Sequence, residues 1–249
     1  MIGTIECISL KRDNDFIIVG ARGCRALSIH HIPSLLCHSI ALDQPVVTVD
    51  HSNEYLLAAG PSRLSVYTMV NRRLIEQHPI LDLIHVAILD RTIFVTVSGM
   101  GLIGLWALPT TDTRATLVNQ YETEPGLVTC TVSKYSANKA TILCGFKNGV
   151  VRHIILNKGS FHERARLHVP GSDWVSSICM LPKAQIVLVG SWDNKIRMYD
   201  VQGKLERLLT IESTPLGLIV NQDESCCIVG RYDGKLATYS FGDTRTINA

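Results

Sequence analysis

Hydrophobic and polar residues follow a clear rhythm between residues 186 and 201, where the sequence is IVLVGSWDNKIRMYDV. Apolar runs rich in Val and Ile on either side of an Asp/Asn turn are typical of a β-hairpin. Asp193 and Asn194 suit the turn, because short polar side chains bond nearby backbone amides and tolerate a left-handed backbone. The pattern therefore predicts two antiparallel strands joined by a tight turn.

Weaker copies of this hairpin recur along the chain, each marked by a glycine near the end of its first strand. The glycines lie 40, 39, 46, 45 and 40 residues apart, at Gly20, Gly60, Gly99, Gly145, Gly190 and Gly230. A second apolar strand follows each of them within a few residues. A strand-rich repeat of about 40–45 residues is typical of a β-propeller blade. The sequence thus predicts an all-β fold, a single β-propeller of six four-stranded blades, in one domain over residues 1–249.

Each predicted blade has four strands, numbered from the innermost outward. Charged residues crowd the outermost strands, as in RRLIEQHPI and FHERARLHV, and charge at a sheet edge discourages pairing with a second molecule. The chain begins on an innermost strand and ends on an outermost one, so the first and last blades are not expected to exchange a strand unless MIGTI supplies one. Two arrangements follow: a closed six-bladed disc, or an open ring that a partner completes, with seven blades if the partner supplies one.

The amino-acid composition limits the cellular compartments in which the protein is expected and the kinds of partner that it is expected to bind. Hydrophobic residues make up 46% of the chain and charged residues 18%, and the net charge is only +2 with 6% aromatics, so direct nucleic-acid binding is not expected. No apolar run reaches the roughly 18 residues of a membrane helix, which predicts no membrane insertion. The N-terminus lacks the pattern of a signal peptide. The eight cysteines have no C-x-x-C spacing and are expected to be buried hydrophobes, so we expect an intracellular protein of the cytoplasm or the nucleus.

The segment GSWDNKIRMYDV resembles the core of a WD repeat, with matching positions at Gly190, Ser191, Asp193, Ile196 and Arg197. Tyr199–Asp200 stands where the WD-repeat family usually has Trp-Asp, and GSDWVSSI resembles the segment that leads into the family's innermost strand. The last blade matches in part, through VGRYDGKLATYSF. The resemblance implies a WD-repeat propeller over essentially the whole chain. The C-terminal blades also resemble those of G-protein-β-like assembly factors and of BEACH-domain propellers.

Propellers of this family usually act as rigid binding platforms, so the hairpin tips on the wide top face are the candidate site. The residue just before the turn Asp is expected at each tip. In four consecutive blades these residues are Arg22, Lys147, Trp192 and Tyr232. Two aromatic side chains flanked by two cations would suit a peptide with acidic and apolar residues. The alternative is that Trp192 covers a blade edge and that the cations are merely solvated.

Catalysis is the interpretation that the sequence supports least. The nine histidines show no H-E-x-x-H spacing, and no nucleophile elbow, P-loop or dinucleotide fingerprint is present. No metal or cofactor is therefore expected. The predicted innermost strands are apolar or hydroxylic, with Asp50 and His85 as exceptions. Asp193 and Asp233 recur at equivalent turns, as structural turn residues do.

We therefore expect a non-catalytic scaffold or adaptor in an intracellular complex, which binds a peptide or protein partner on the top face of the propeller. The alternative is a constitutive structural subunit of a large assembly, whose open ring a partner completes. A propeller enzyme is the third and weakest hypothesis.

Overall fold

The computed structural model describes residues 5–10, 16–21, 25–110, 114–136, 139–171, 173–241 and 247–248. The chain divides into two compact units, Met1–Pro125 and Gly126–Ala249. Each unit contains three four-stranded antiparallel sheets, and every sheet consists of four strands that are consecutive in the chain. All 24 elements in these described residues are strands, so the predicted all-β class and the six four-stranded blades are confirmed. A single domain over residues 1–249 remains a prediction.

The first unit holds sheets 1 to 3. Sheet 1 contains β1 to β4, at Ile5–Leu10, Phe16–Ala21, Ala26–His31 and Leu36–Ala41. Sheet 2 contains β5 to β8, at Thr48–His51, Tyr55–Ala59, Arg63–Thr68 and Leu74–Pro79. Sheet 3 contains β9 to β12, at Leu83–Ile88, Ile93–Ser98, Leu102–Ala107 and Thr116–Glu122.

The second unit holds sheets 4 to 6. Sheet 4 contains β13 to β16, at Leu127–Ser136, Lys139–Phe146, Val150–Asn157 and Ser160–His168. Sheet 5 contains β17 to β20, at Val175–Leu181, Ile186–Ser191, Lys195–Asp200 and Leu205–Thr210. Sheet 6 contains β21 to β24, at Pro215–Val220, Cys226–Arg231, Leu236–Phe241 and Ile247–Asn248.

Successive sheets within each unit pack face to face through their central strands. In the second unit, Leu143 and Val151 of sheet 4 pack with Val187 and Tyr199 of sheet 5. The next apolar layer joins sheets 5 and 6, and its members include Leu188, Ile196, Leu218, Val229 and Tyr239. Both faces of sheet 5 are therefore buried, which explains the continuous apolar run of β18.

The outer strands follow a different pattern, because only one of their faces meets a neighbour. Burial alternates along β8, β12, β16 and β20, and the charged residues occupy the exposed positions or ion pairs. Arg152 of β15, for example, lies 3.0 Å from Glu163 of β16. Cys144 and Cys227 are buried as expected, whereas Cys130, Cys179 and Cys226 are only partly buried and Cys37 on an outer strand is exposed.

The repeat glycines are equivalent in four of the six sheets. Gly20, Gly145, Gly190 and Gly230 each pair with the innermost strand just after a β-bulge. In sheets 2 and 3, Ala59 and Val97 take the corresponding places, and Gly60 and Gly99 come one and two residues later. The prediction that all six glycines are equivalent is therefore wrong for sheets 2 and 3, where the glycine lies in the turn that follows the second strand.

Candidate partner-binding site

Three of the predicted site residues lie at corresponding hairpin tips in the second unit. Lys147, Trp192 and Tyr232 each follow the last residue of the second strand in sheets 4, 5 and 6. In each hairpin a backbone amide closes a turn of four residues, and the residue that provides it has positive φ: Gly149 (76°), Asn194 (59°) and Gly234 (80°). Glycine and asparagine adopt this backbone most readily, which fixes the turn.

A second backbone hydrogen bond anchors each tip to the residue before the innermost strand. The amides of Lys147, Trp192 and Tyr232 donate to the carbonyls of Gly126, Trp174 and Thr214, over 3.0, 3.0 and 2.9 Å. Each hairpin tip is therefore held by two backbone hydrogen bonds, one that closes its turn and one from the tip residue itself, and the side chain of the tip residue is left at the surface.

The turn below Trp192 is fixed by a buried ion pair. Arg197 donates from Nη2 to Asp193 Oδ2 over 2.5 Å and from Nη1 to Oδ1 over 3.1 Å, and Nη1 also reaches Ser191 Oγ at 2.8 Å. Partial burial alone would raise the pKa of Asp193, but the hydrogen bonds from Arg197 and Ser191 hold it below its ordinary value. Asp193 thus occupies the place expected of a structural turn residue.

The turn below Tyr232 has a more exposed version of the same pairing. Arg231 donates from Nη2 to Asp233 Oδ2 over 2.5 Å and to Glu212 Oε2 over 2.8 Å. The hydrogen bond from Arg231 lowers the pKa of Asp233. The carboxylates of both turn aspartates are therefore paired with arginines within their own hairpins.

Four side chains form a continuous exposed row across the tips of sheets 4, 5 and 6, which we call the aromatic ribbon: Lys147, Trp174, Trp192 and Tyr232. Lys147 Nζ lies 5.0 Å from the centroid of the Trp174 ring. The Trp174 and Trp192 rings meet edge to face with centroids 6.4 Å apart, and Trp192 and Tyr232 are tilted at 5.7 Å. The three aromatic residues remain 48%, 47% and 66% exposed, although they are large and apolar.

Sequence reasoning missed one member of the ribbon, Trp174. It precedes β17 directly, in the segment GSDWVSSI, and so lies outside the hairpin tips that the repeat marks. The signal that could have found it is its place in the repeat: Gly126 and Thr214 occupy the same position before β13 and β21 and make the same hydrogen bond to a tip. A large aromatic residue at that position must lie beside the neighbouring tip.

The fourth predicted site residue, Arg22, lies outside the described residues, and its part in the site remains a prediction. The structure therefore brings together Lys147, Trp192 and Tyr232, adds Trp174, and leaves Arg22 unplaced.

Asp50 and His85, the two titratable residues expected on the innermost strands, have structural environments, and the structure adds the buried His51 at the end of β5. Asp50 on β5 accepts hydrogen bonds from the backbone amides of His51 at 2.9 Å and Ile88 at 2.7 Å, which ties sheet 2 to sheet 3. Loss of hydration lowers the pKa of His85, while Asp50 acts in the opposite direction. Among the described residues, no group of three or more His, Cys, Asp or Glu side chains has a geometry suited to a metal ion.

The ribbon can bind apolar groups through three aromatic rings and an anion through one ammonium. Tyrosine and tryptophan supply large rigid contact areas and often dominate binding energy. A cation over an aromatic face is attracted to the ring electrons, which stabilises Lys147 beside Trp174. The neighbouring carboxylates of Asp193 and Asp233 are paired with arginines. A ligand with an acidic group next to apolar side chains is the best chemical match.

No protein-family model matches the sequence. Among solved structures, the WD40 β-propeller domain of Doa1 is similar to this chain, with a TM-score of 0.74 at 11% identity, and the match covers 97% of this chain and 80% of that one. The likeness confirms a WD40-like β-propeller fold, as the resemblance of residues 190–201 predicts. At this identity it is a likeness of fold alone. The finer resemblance to G-protein-β-like assembly factors and BEACH-domain propellers remains a prediction.

Proposed function

We propose that this protein is a non-catalytic scaffold or adaptor of an intracellular complex, and that the aromatic ribbon is its partner-binding surface. A WD40-like fold supports a role in protein interaction in general. The observation that carries the specific proposal is the packing of Lys147, Trp174, Trp192 and Tyr232 into one exposed row. Large aromatic side chains lose hydration favourably on binding, so three neighbouring exposed rings are a natural interface centre.

The proposed partner is a protein segment with acidic and apolar residues. Its acidic group would lie near Lys147, and its apolar side chains would cover the rings of Trp174, Trp192 and Tyr232. In this proposal the arginines of the turns are committed to Asp193 and Asp233, so they hold the platform rigid and do not contact the partner. We place this role in the cytoplasm or the nucleus.

Quantitative affinity purification with the full chain as bait tests the proposal. The test variant carries Trp174→Ala and Trp192→Ala, and the matched control carries Leu205→Ala and Leu208→Ala, two residues of β20 that are 43% and 52% exposed. We expect the test variant to lose partners that the wild type and the control both retain. Equal recovery by all three chains would refute a binding role for the ribbon.

A further inference from the structure

The outermost strands of sheets 2, 3, 4 and 5 are each protected against pairing with a further strand. In β8, β12, β16 and β20 the register skips one residue, which forms a β-bulge: Ile75, Val118, Arg164 and Glu206. A bulge bends and twists an edge strand, so a second strand cannot pair along it regularly. Each of these strands also carries a charged residue, which discourages pairing further.

The outermost strand of sheet 1 has neither protection. β4 pairs with β3 in continuous register from Leu36 to Ala41, without a bulge. Its sequence, LCHSIA, contains no Lys, Arg, Asp or Glu. Leu36 at the start of the strand and Leu35 just before it are 57% and 88% exposed. A regular and uncharged edge of this kind is a template for a further strand.

The backbone groups that point away from sheet 1 at this edge belong to Cys37, Ser39 and Ala41. The amide of Leu42 donates over 2.7 Å to the carbonyl of Arg25, the residue opposite it when the register of β3 and β4 is continued. Hydrogen-bonded positions alternate along an antiparallel pair, so the even-numbered residues of β4 bond to β3 and the odd-numbered ones face outward. Among the described residues, β4 pairs only with β3, and no hydrogen bond reaches the three outward amides or carbonyls.

No other edge strand in the described part of the chain has a regular edge as long as that of β4. Strand β5 is regular but has only four residues, and β24 has two. Every other edge strand, in either unit, contains a bulge. A strand that matches the whole of β4 is therefore found in a second molecule of this chain, and not elsewhere in the same one.

We propose that β4 pairs with β4 of a second copy of this chain, antiparallel across a two-fold axis at Ser39. In this register Ser39 lies opposite Ser39 of the other copy, and Cys37 lies opposite Ala41. These are the outward positions, and each hydrogen-bonded pair exchanges two bonds, so every outward amide and carbonyl of both strands finds a partner. No charged side chains face each other, because β4 contains none.

A second copy suits this edge better than a strand from a different protein. Two identical edges related by a two-fold axis have the same length and satisfy each other completely, which closes the assembly at two chains. A flexible segment of another protein would have to be ordered along the whole strand, at a cost in conformational entropy, whereas β4 is already held by β3. The pairing uses no residue of the aromatic ribbon, so this inference and the proposed function can fail separately.

Sedimentation velocity of the purified full chain, at concentrations up to about 200 μM, tests the inference, because a small edge interface gives weak association. We expect a reversible dimer. Ser39→Pro should weaken it about tenfold or more, since the proline removes the amide at the two-fold axis from both copies. The monomer should stay folded, because Pro79 occupies an outward position of β8. The matched control is Leu208→Pro, at an outward position of the bulged β20, which should leave the dimer intact.

Two charge variants test the position of the axis. Ser39→Lys and Ser39→Glu should each weaken the dimer, because like charges would face each other, and an equimolar mixture of the two should form a mixed dimer. Amide hydrogen exchange at Cys37, Ser39 and Ala41 should slow as the wild-type chain dimerises.

Four results would overturn the inference. They are a wild type that stays monomeric, a dimer that Ser39→Pro leaves intact, and a mixture of charge variants that pairs no better than its components. The fourth is slow exchange of the three amides in the monomer, which would mean that the chain's own residues cover the edge.

Discussion

The ammonium nitrogen of Lys147 lies 5.0 Å from the ring centroid of Trp174 and extends the row of aromatic rings into a cationic end. A charge at the edge of a binding surface mainly increases the rate at which an acidic partner associates, and it adds less to the affinity of the final complex. We expect Lys147→Gln to weaken binding of a recovered partner modestly and to flatten its dependence on salt. The measurement is the dissociation constant at several ionic strengths.

The control for this prediction is Lys134→Gln, which removes one positive charge from an exposed position of β13 in the same sheet. It should leave both the affinity and its salt dependence as in the wild type. A salt dependence that both variants change equally would mean that net charge, and not the position of Lys147, governs the association.

The ion pair below Trp192 should contribute strongly to stability. Arg197 and Asp193 are 4% and 14% exposed in their side chains, so replacing the arginine strands a largely buried carboxylate. We expect Arg197→Met to lower the free energy of unfolding by about 2 kcal/mol in urea titrations. Arg231→Met, in the more exposed pair with Asp233, should cost clearly less, because water can hydrate Asp233. Equal losses in both variants would contradict this account.

His153 should make the protein less stable in acid. Its side chain is 1% exposed, and neither ring nitrogen has a hydrogen-bond partner among the described residues. Burial, together with the nearby Arg164, lowers its pKa from 6.5 to about 4. Between those values the unfolded chain binds the proton and the folded protein does not, so the free energy of unfolding falls as the pH falls.

His153→Leu removes this titration, so its stability should depend less on pH than that of the wild type over the same interval. His162→Leu, at an exposed position of β16, serves as the control and should keep the wild-type slope. The check is the urea midpoint at several pH values between about 4 and 7. A wild-type slope in His153→Leu would show that other groups cause the acid sensitivity.

The six sheets can be predicted from the sequence because strand periodicity and turn chemistry agree in each repeat. The register of sheets 2 and 3 cannot be predicted from the glycines alone. Ala59 and Val97 fill the position that Gly190 holds in sheet 5, and the visible Gly60 and Gly99 belong to the following turns. In a sequence, a glycine can indicate either a turn or a place in a strand that another backbone approaches closely. Only the pairing of the strands shows which of the two applies.

The candidate site is predictable in part for a similar reason. Trp192 and Tyr232 follow from the repeat, because hairpin tips lie at the surface whatever the neighbouring sheets do. Trp174 depends on the register of β17 against β18 within sheet 5, which places its carbonyl opposite the amide of Trp192. The spacing of the glycines marks the hairpin tips but does not give this register, so Trp174 is found only when the residue before each innermost strand is compared between repeats.

The most direct test of the account is the dissociation constant of a recovered partner for the wild type and for Trp192→Ala. Trp192 touches both Trp174 and Tyr232, so its loss divides the aromatic ribbon in two. We predict a loss of about 2 kcal/mol or more, which is roughly 30-fold in affinity, with an unchanged urea midpoint. An affinity equal to that of the wild type would contradict the claim that this surface binds the partner.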